Sequence, residues 1–408
     1  MLGAALLSAA LAGCGEAERD AAPGGPLPPQ SAAVLRQIDP PAGPGALAPN
    51  LALTAGGPLL SWLEPTAEGH HRLLTARFDG RDWEAPVVVT EGEGFFANWA
   101  DLPAAAESGD GSLVAHWLAK TAADAYAYSI FLARSVDGGG TWTELGRLND
   151  DDTPTEHGFV SYAAEADGLR AFWLDGREMG SGGPMGLRTA LISETVGASE
   201  LLDERVCECC STDATPGPHG SLVVYRDRGD GEVRDISVVR GSADAWSAPA
   251  PTVADGWRIA GCPVNGPAVD AAGQVAAVAW FTAAGEAPRV QAAFSADGGA
   301  TFGPVVLIDA DSPHGRVDLV LDGGDGAIVS WLAAAGEAAT VSLRRVRTDG
   351  AQGEALEVAT TGAARASGFP RLVRRGEALY LAWVDTLPAE GQRIRARMVP
   401  VGGVPSPT

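Results

Sequence analysis

AIVSWLA, residues 327–333, is a compact apolar run with a tryptophan two residues from its end, set between DGGDG and AAGE. Seven residues rich in Ile, Val and Trp are few for a buried helix and suit a strand covered on both faces. The run has relatives along the chain: PLLSWLE (58–64), SLVAHWLAK (112–120), LRAFWLDGR (169–177), SLVVYRDR (221–228), VAAVAWFTA (275–283) and LYLAWVD (379–385). Their landmark aromatics are Trp62, Trp117, Trp173, Tyr225, Trp280, Trp331 and Trp383, spaced by 51 to 56 residues. A shorter strand precedes each run, such as PNLALT or GPAVDA, and two follow, such as PRVQAAFS then GPVVLID. Four strands per period, repeated seven times, predict an all-β chain folded as a β-propeller of seven four-stranded blades. A six-bladed ring with one copy degenerate or packed outside is the alternative.

The ends of the body fit ring closure. The last copy stops after its third strand, QRIRARMVP (392–400), while AVLRQID (33–39) resembles a fourth strand such as PVVLID. Pairing that N-terminal strand with the final blade leaves no open edge between first and last blades.

Ahead of the body, residues 2–12 form an apolar run too short to span a bilayer, leading into Leu11-Ala12-Gly13-Cys14. Small residues directly before a cysteine are the pattern of a bacterial lipoprotein signal, with Cys14 the lipidated residue, although the usual basic flank is missing. The expectation is a signal over 1–14, a disordered Pro/Gly-rich tether over 15–31 and a propeller over 32–408. Its body would sit in the periplasm or outside the cell, touching membrane only through the lipid. The formal charge of −23 argues against nucleic acid and anionic lipid as partners. No cofactor is expected.

Between third and fourth strands, two copies carry Ser135-x-Asp137-x-Gly139-x-Thr141-Trp142 and Ser295-x-Asp297-x-Gly299-x-Thr301-Phe302, 160 residues apart (295 − 135), or three periods. An Asp accepting backbone N–H groups, with glycines free to take positive φ, describes a tight hairpin. This pattern resembles the Asp-box of the sialidase-like propellers, also called BNR repeats, in which the box is structural and lies opposite the active site. The stretches CECCSTDA, VVYRDR, VRDISVVR and GWRIAGCPVNGP resemble exported bacterial members of that group.

Propeller geometry puts the segments before each first strand on one face with the ends of the second strands, and ligands usually bind there, at the mouth of the central channel. That face would gather Arg177, Arg226, Arg228, Arg234, Arg316 and Arg371 as ligand-binding candidates. The resemblance implies, for a retaining sialidase, three arginines on the sugar carboxylate, a tyrosine nucleophile with a glutamate, and an aspartate acid/base. Matching residue types here are Tyr162, Glu178, and Asp175 or Asp227. Against this, no arginine stands between Gln37 and His71 in the first copy, and sialidase rings have six blades. The reading is an envelope-anchored propeller binding a ligand, such as a glycan, or a protein partner at the cysteine-bearing mouth; the alternative is an exo-α-sialidase or related glycoside hydrolase.

Cys207 and Cys262 both lie eighteen residues before their landmark aromatics (225 − 207 and 280 − 262), so they should be neighbours in adjacent blades. In an oxidising compartment a disulfide from Cys262 to Cys207 or Cys209 is expected. The alternative is a thiolate site for Cu(I) or zinc made from Cys207, Cys209, Cys210 and Cys262, with His157 or His314 from nearby loops.

Overall fold

A computed structural model describes residues 35–66, 69–242, 245–323, 325–388 and 391–407. The signal, tether and Cys14 assigned from sequence lie outside the described residues. Seven antiparallel sheets follow one another along the chain, at 47–92, 104–147, 157–203, 213–253, 268–309, 315–362 and 371–400. These are blades one to seven, each four-stranded; blade four has a fifth two-residue strand, Ala245–Trp246. No α-helix occurs among the described residues, only four 3-10 turns.

The second strands are covered on both sides, as their continuous apolar composition requires. Gly168–Asp175 is buried throughout, and Gly57–Pro65 is buried except at its last residue. Trp62, Trp173, Trp280 and Trp331 are among the largest fully buried side chains. The core is divided into seven apolar clusters, each drawing mainly on two consecutive blades. One of them joins Leu60, Trp62 and Leu74 of blade one to Tyr380, Ala382 and Ile394 of blade seven. Seven sheets separated by seven apolar layers close a ring, which decides between the seven- and six-bladed alternatives.

Closure uses the N-terminal segment as expected. Arg36–Gln37 pairs antiparallel with Arg393–Pro400, Arg36 opposite Met398 and Gln37 opposite Arg397. The Asp39 carboxylate then accepts from the Ala396 backbone N–H (3.0 Å) and pairs with Arg395 (3.0 Å).

The first strand of every blade is an inner edge, and its outward N–H groups need acceptors. Aspartates supply several of them from the blade before. Asp213 accepts from Val269 N–H, Asp270 from Leu321 N–H and Asp318 from Leu372 N–H, each at 2.8 Å. These clasps stitch blades four to seven around the channel.

The two Ser-x-Asp-x-Gly-x-Thr segments fold alike in hairpins between third and fourth strands. Ser135 donates to Asp137 (2.7 Å) and accepts from Gly139 N–H (2.8 Å), while Thr141 donates to Asp137 through both N–H and Oγ1. Ser295, Asp297, Gly299 and Thr301 repeat that pattern. Backbone and hydroxyl donors hold both carboxyls at a pKa of about 2, so they serve the turns.

Candidate functional site

At the pole where first strands begin, the axis is closed. Trp99 and Ala100 (before blade two), Phe159 (blade three), Val264 (before blade five) and Phe369 (before blade seven) share one apolar cluster. Trp99 stacks on Phe369 at 6.1 Å. Segments from four blades meet only on the axis, so this group plugs the mouth. Phe159, Val264 and Arg316 hold φ near 50°, the left-handed region, where the first strands of blades three, five and six begin. Bulky residues hold that geometry only when packing over-determines it, as the plug does here. A cavity of about 740 Å³ lies along the inner strands, lined by Asn50, Ser161, Asp213, Asp318 and Arg371 and reaching the hairpins of the opposite pole at Glu107 and Glu377.

Five of the six arginines expected at an open mouth are committed elsewhere. Arg226 is fully buried and donates to three backbone carbonyls, of Asn265 (3.0 Å), Arg234 (2.6 Å) and Phe281 (2.8 Å), with its guanidinium 4.8 Å from the centre of Trp257. Arg316 donates to the carbonyls of Gly368 (2.9 Å) and Ala364 and lies over Trp99. Arg177 is held by Asp175 (2.7 Å) and Asp150 (2.8 Å). Arg228 and Arg234 share Glu208 and Glu232. Arg371 sits in the channel, 3.7 Å from Asp318. No three of these converge as free donors on one point.

The hydrolytic candidates are equally dispersed. Tyr162 meets His116 Nδ1 at 3.0 Å between blades two and three, and burial pushes its pKa up. Asp175 is buried, accepting from Trp173 Nε1 (2.8 Å) and Arg177. Asp227 accepts from Arg228 N–H (2.6 Å) and Ser237, and burial raises its pKa. Glu178 is exposed at the start of the 3-10 turn Met179–Ser181.

A different acid–tyrosine group assembles off the axis, one that sequence reasoning missed. Tyr128 begins the third strand of blade two, and its hydroxyl lies 2.7 Å from Glu156 and 3.0 Å from Asp101. One hydroxyl proton cannot serve two ionised carboxylates. Burial raises Asp101 to a pKa of about 8, against the N–H bond from Phe159 that favours its anion. Burial likewise raises Glu156 to about 7, with the Glu208 carboxylate adding to the shift. Below those values a carboxyl proton completes the network.

The sign for stability follows directly. The folded state keeps a proton on Asp101 that the unfolded chain releases near pH 4, so this contribution is full below pH 4 and lost as pH rises toward 8. Asp101→Asn keeps an acceptor for Phe159 N–H and cannot ionise. At pH 9 it is expected to be more stable than wild type by about 2 kcal/mol, with a smaller difference at pH 5. Urea unfolding at the two pH values checks this; equal slopes with pH in both proteins would remove Asp101 as the cause.

Beside this network, Phe96 stacks on Tyr128 at 4.0 Å and neighbours Tyr126 at 6.3 Å. Tyr126 is 59% exposed. Lys120 lies over Phe96 and fixes the 121–127 loop by donating to the Asp124 carbonyl (2.9 Å). Exposed Tyr126 and half-buried Phe96 thus form an aromatic patch over a network in which Asp101 and Tyr128 are buried and Glu156 is half-buried.

The cysteines correct one expectation. All four thiols of the body are free, and Cys262 is exposed while Cys207 and Cys210 are buried, so the expected disulfide from Cys262 to Cys207 or Cys209 is absent. Equal offsets from the aromatics misled because the loops differ. From the end of the fourth strand to the aromatic is 27 residues ahead of blade five (280 − 253) and 22 ahead of blade four (225 − 203). Asn265, not Cys262, reaches the cluster, its N–H facing Cys210 Sγ at 3.4 Å. His157 is engaged with Asp151 at 3.1 Å, and neither it nor His314 joins the thiols.

No family profile matches the chain, and no curated protein matches its sequence. Solved structures do share its fold. An ulvan lyase is similar at TM-score 0.55 and 12% identity, over 90% of this chain and 96% of that one. Phage phi92 endosialidase is similar at TM-score 0.51 and 9% identity, over 91% and 69%. A protein of unknown function from Dyadobacter fermentans gives 0.51 and 13%, over 90% and 98%. At such identities the likeness is one of architecture: the chain is a seven-bladed β-propeller, similar in fold to a polysaccharide lyase and an endosialidase.

Proposed function

We propose that this protein is an envelope-anchored propeller that binds a neutral glycan at the aromatic patch of blade two without cleaving it. The carrying observation is exposed Tyr126 beside half-buried Phe96, which stacks on Tyr128. An aromatic face covers the apolar C–H side of a sugar ring, and polar groups at its rim take the sugar's hydroxyl groups, a role open here to half-buried Glu156. The ulvan lyase and endosialidase of like fold support a carbohydrate ligand. Charge selects a neutral one: the chain carries −23, and an acidic sugar would have to draw Arg228 or Arg177 from carboxylates already in place. Anchoring rests on the Leu11-Ala12-Gly13-Cys14 segment.

Glycan-array screening followed by calorimetry tests the reading. Tyr126→Ala is expected to weaken binding of the selected neutral oligosaccharide about tenfold, the scale of losing one aromatic anchor. Turnover of a fluorogenic sialoside, abolished by Arg228→Ala, would overturn it in favour of the hydrolase.

A further inference from the structure

We propose that Cys207, Cys209 and Cys210 form a three-thiolate site for a soft monovalent metal ion, Cu(I). The site is built by one turn. Cys207 and Cys210 stand at its first and fourth positions, which a β-turn brings together. Their sulfurs are 3.4 Å apart, Cys209 Sγ is 3.9 Å from Cys207 Sγ, and all three sulfurs lie within 4.8 Å of one another. Thiolates arranged in a triangle around an ion at about 2.3 Å have sulfurs about 4 Å apart. The observed set needs only a slight spread to receive one.

The surroundings are those of a thiolate site. Arg234 Nη1 donates to Cys207 Sγ at 3.1 Å and is itself held by Glu208 (2.9 Å) and Glu232 (2.8 Å). Asn265 N–H points at Cys210 Sγ from the next blade. A guanidinium and an amide aimed at sulfur stabilise the anion and disfavour the neutral thiol. Cys207 and Cys210 are buried, and half-buried Cys209 marks the route in.

Ligand number chooses the metal. Among the described residues no fourth Cys, His or carboxylate joins the three sulfurs, and Glu208 is engaged by two arginines. Structural zinc takes four ligands, whereas thiolates also select Cu(I). Cys262, exposed and apart, is outside the site.

The test uses the full chain, reduced and handled without oxygen, titrated with Cu(I) in competition with bathocuproine disulfonate. One Cu(I) per chain is expected, unchanged in Cys262→Ser and at least 100-fold weaker in Cys209→Ser. Cys209 is the least buried of the three, so that variant should keep its fold, which circular dichroism verifies. The proposal is overturned if wild type draws no Cu(I) from the chelator, or if Cys209→Ser binds as well. Zn(II) uptake tighter than Cu(I) would also overturn it.

Discussion

Arg226→Ala is expected to destabilise the protein by about 4 kcal/mol, because three buried carbonyls lose a charged donor together. Those carbonyls belong to different segments: Arg234 in blade four, Asn265 in the loop before blade five, and Phe281 in the second strand of blade five. The guanidinium therefore ties two blades where no β-ladder can, and its face rests on Trp257. A lysine offers one point charge in place of a planar fork, so Arg226→Lys should recover only part of the loss. Arg228→Ala is the contrast. Its ion pairs are partly exposed, and its removal should cost less than about 1 kcal/mol. Urea midpoints at constant slope measure all three. A loss below about 1 kcal/mol for Arg226→Ala would show that neighbouring groups or water satisfy those carbonyls.

A chain starting at residue 41 is expected to be about 4 kcal/mol less stable than one starting at residue 35, and to self-associate. Ile38, 6% exposed, is buried between blades seven and one, an apolar contribution of about 2 kcal/mol. The Ile38 N–H bond to the Ala396 carbonyl (3.0 Å) and the Asp39 bond to Ala396 N–H add about 1 kcal/mol each. Without them Arg393–Pro400 becomes an open edge, which pairs readily with another chain. Size-exclusion chromatography and urea unfolding of the two chains decide it. A monomer of unchanged midpoint would mean the ring closes by the seven apolar layers alone.

Much of the remaining architecture had a signal in the sequence that pattern reading did not use. Aspartates stand 22 to 25 residues before several landmark aromatics, as Asp203, Asp255 and Asp309 do before Tyr225, Trp280 and Trp331. Each accepts from the polar atom of that ring, at 2.6 Å in all three. The inner-strand aspartates were likewise visible in STDAT, PAVDAA and GRVDLV. Their partners, 51 to 56 residues onward, follow from stacking one blade on the next. Asp101, Tyr128 and Glu156 left no such trace. They come from the loop before blade two, its third strand and the loop before blade three, and no common offset links them.

Blade number, strand count, the paired hairpins and the closing N-terminal strand were written in local sequence. Alternation, turn glycines and a recurring aromatic act within a few residues and survive being read one copy at a time. Which charges are free, which thiols meet and where the axis is blocked were decided only when seven sheets stacked in a ring. Those properties depend on side chains about fifty residues apart packing across blade boundaries, and on loops of unequal length converging at one pole. That is why five of the six arginines that looked available are engaged by carbonyls and carboxylates, and why Cys207 meets Cys210 while Cys262 remains apart.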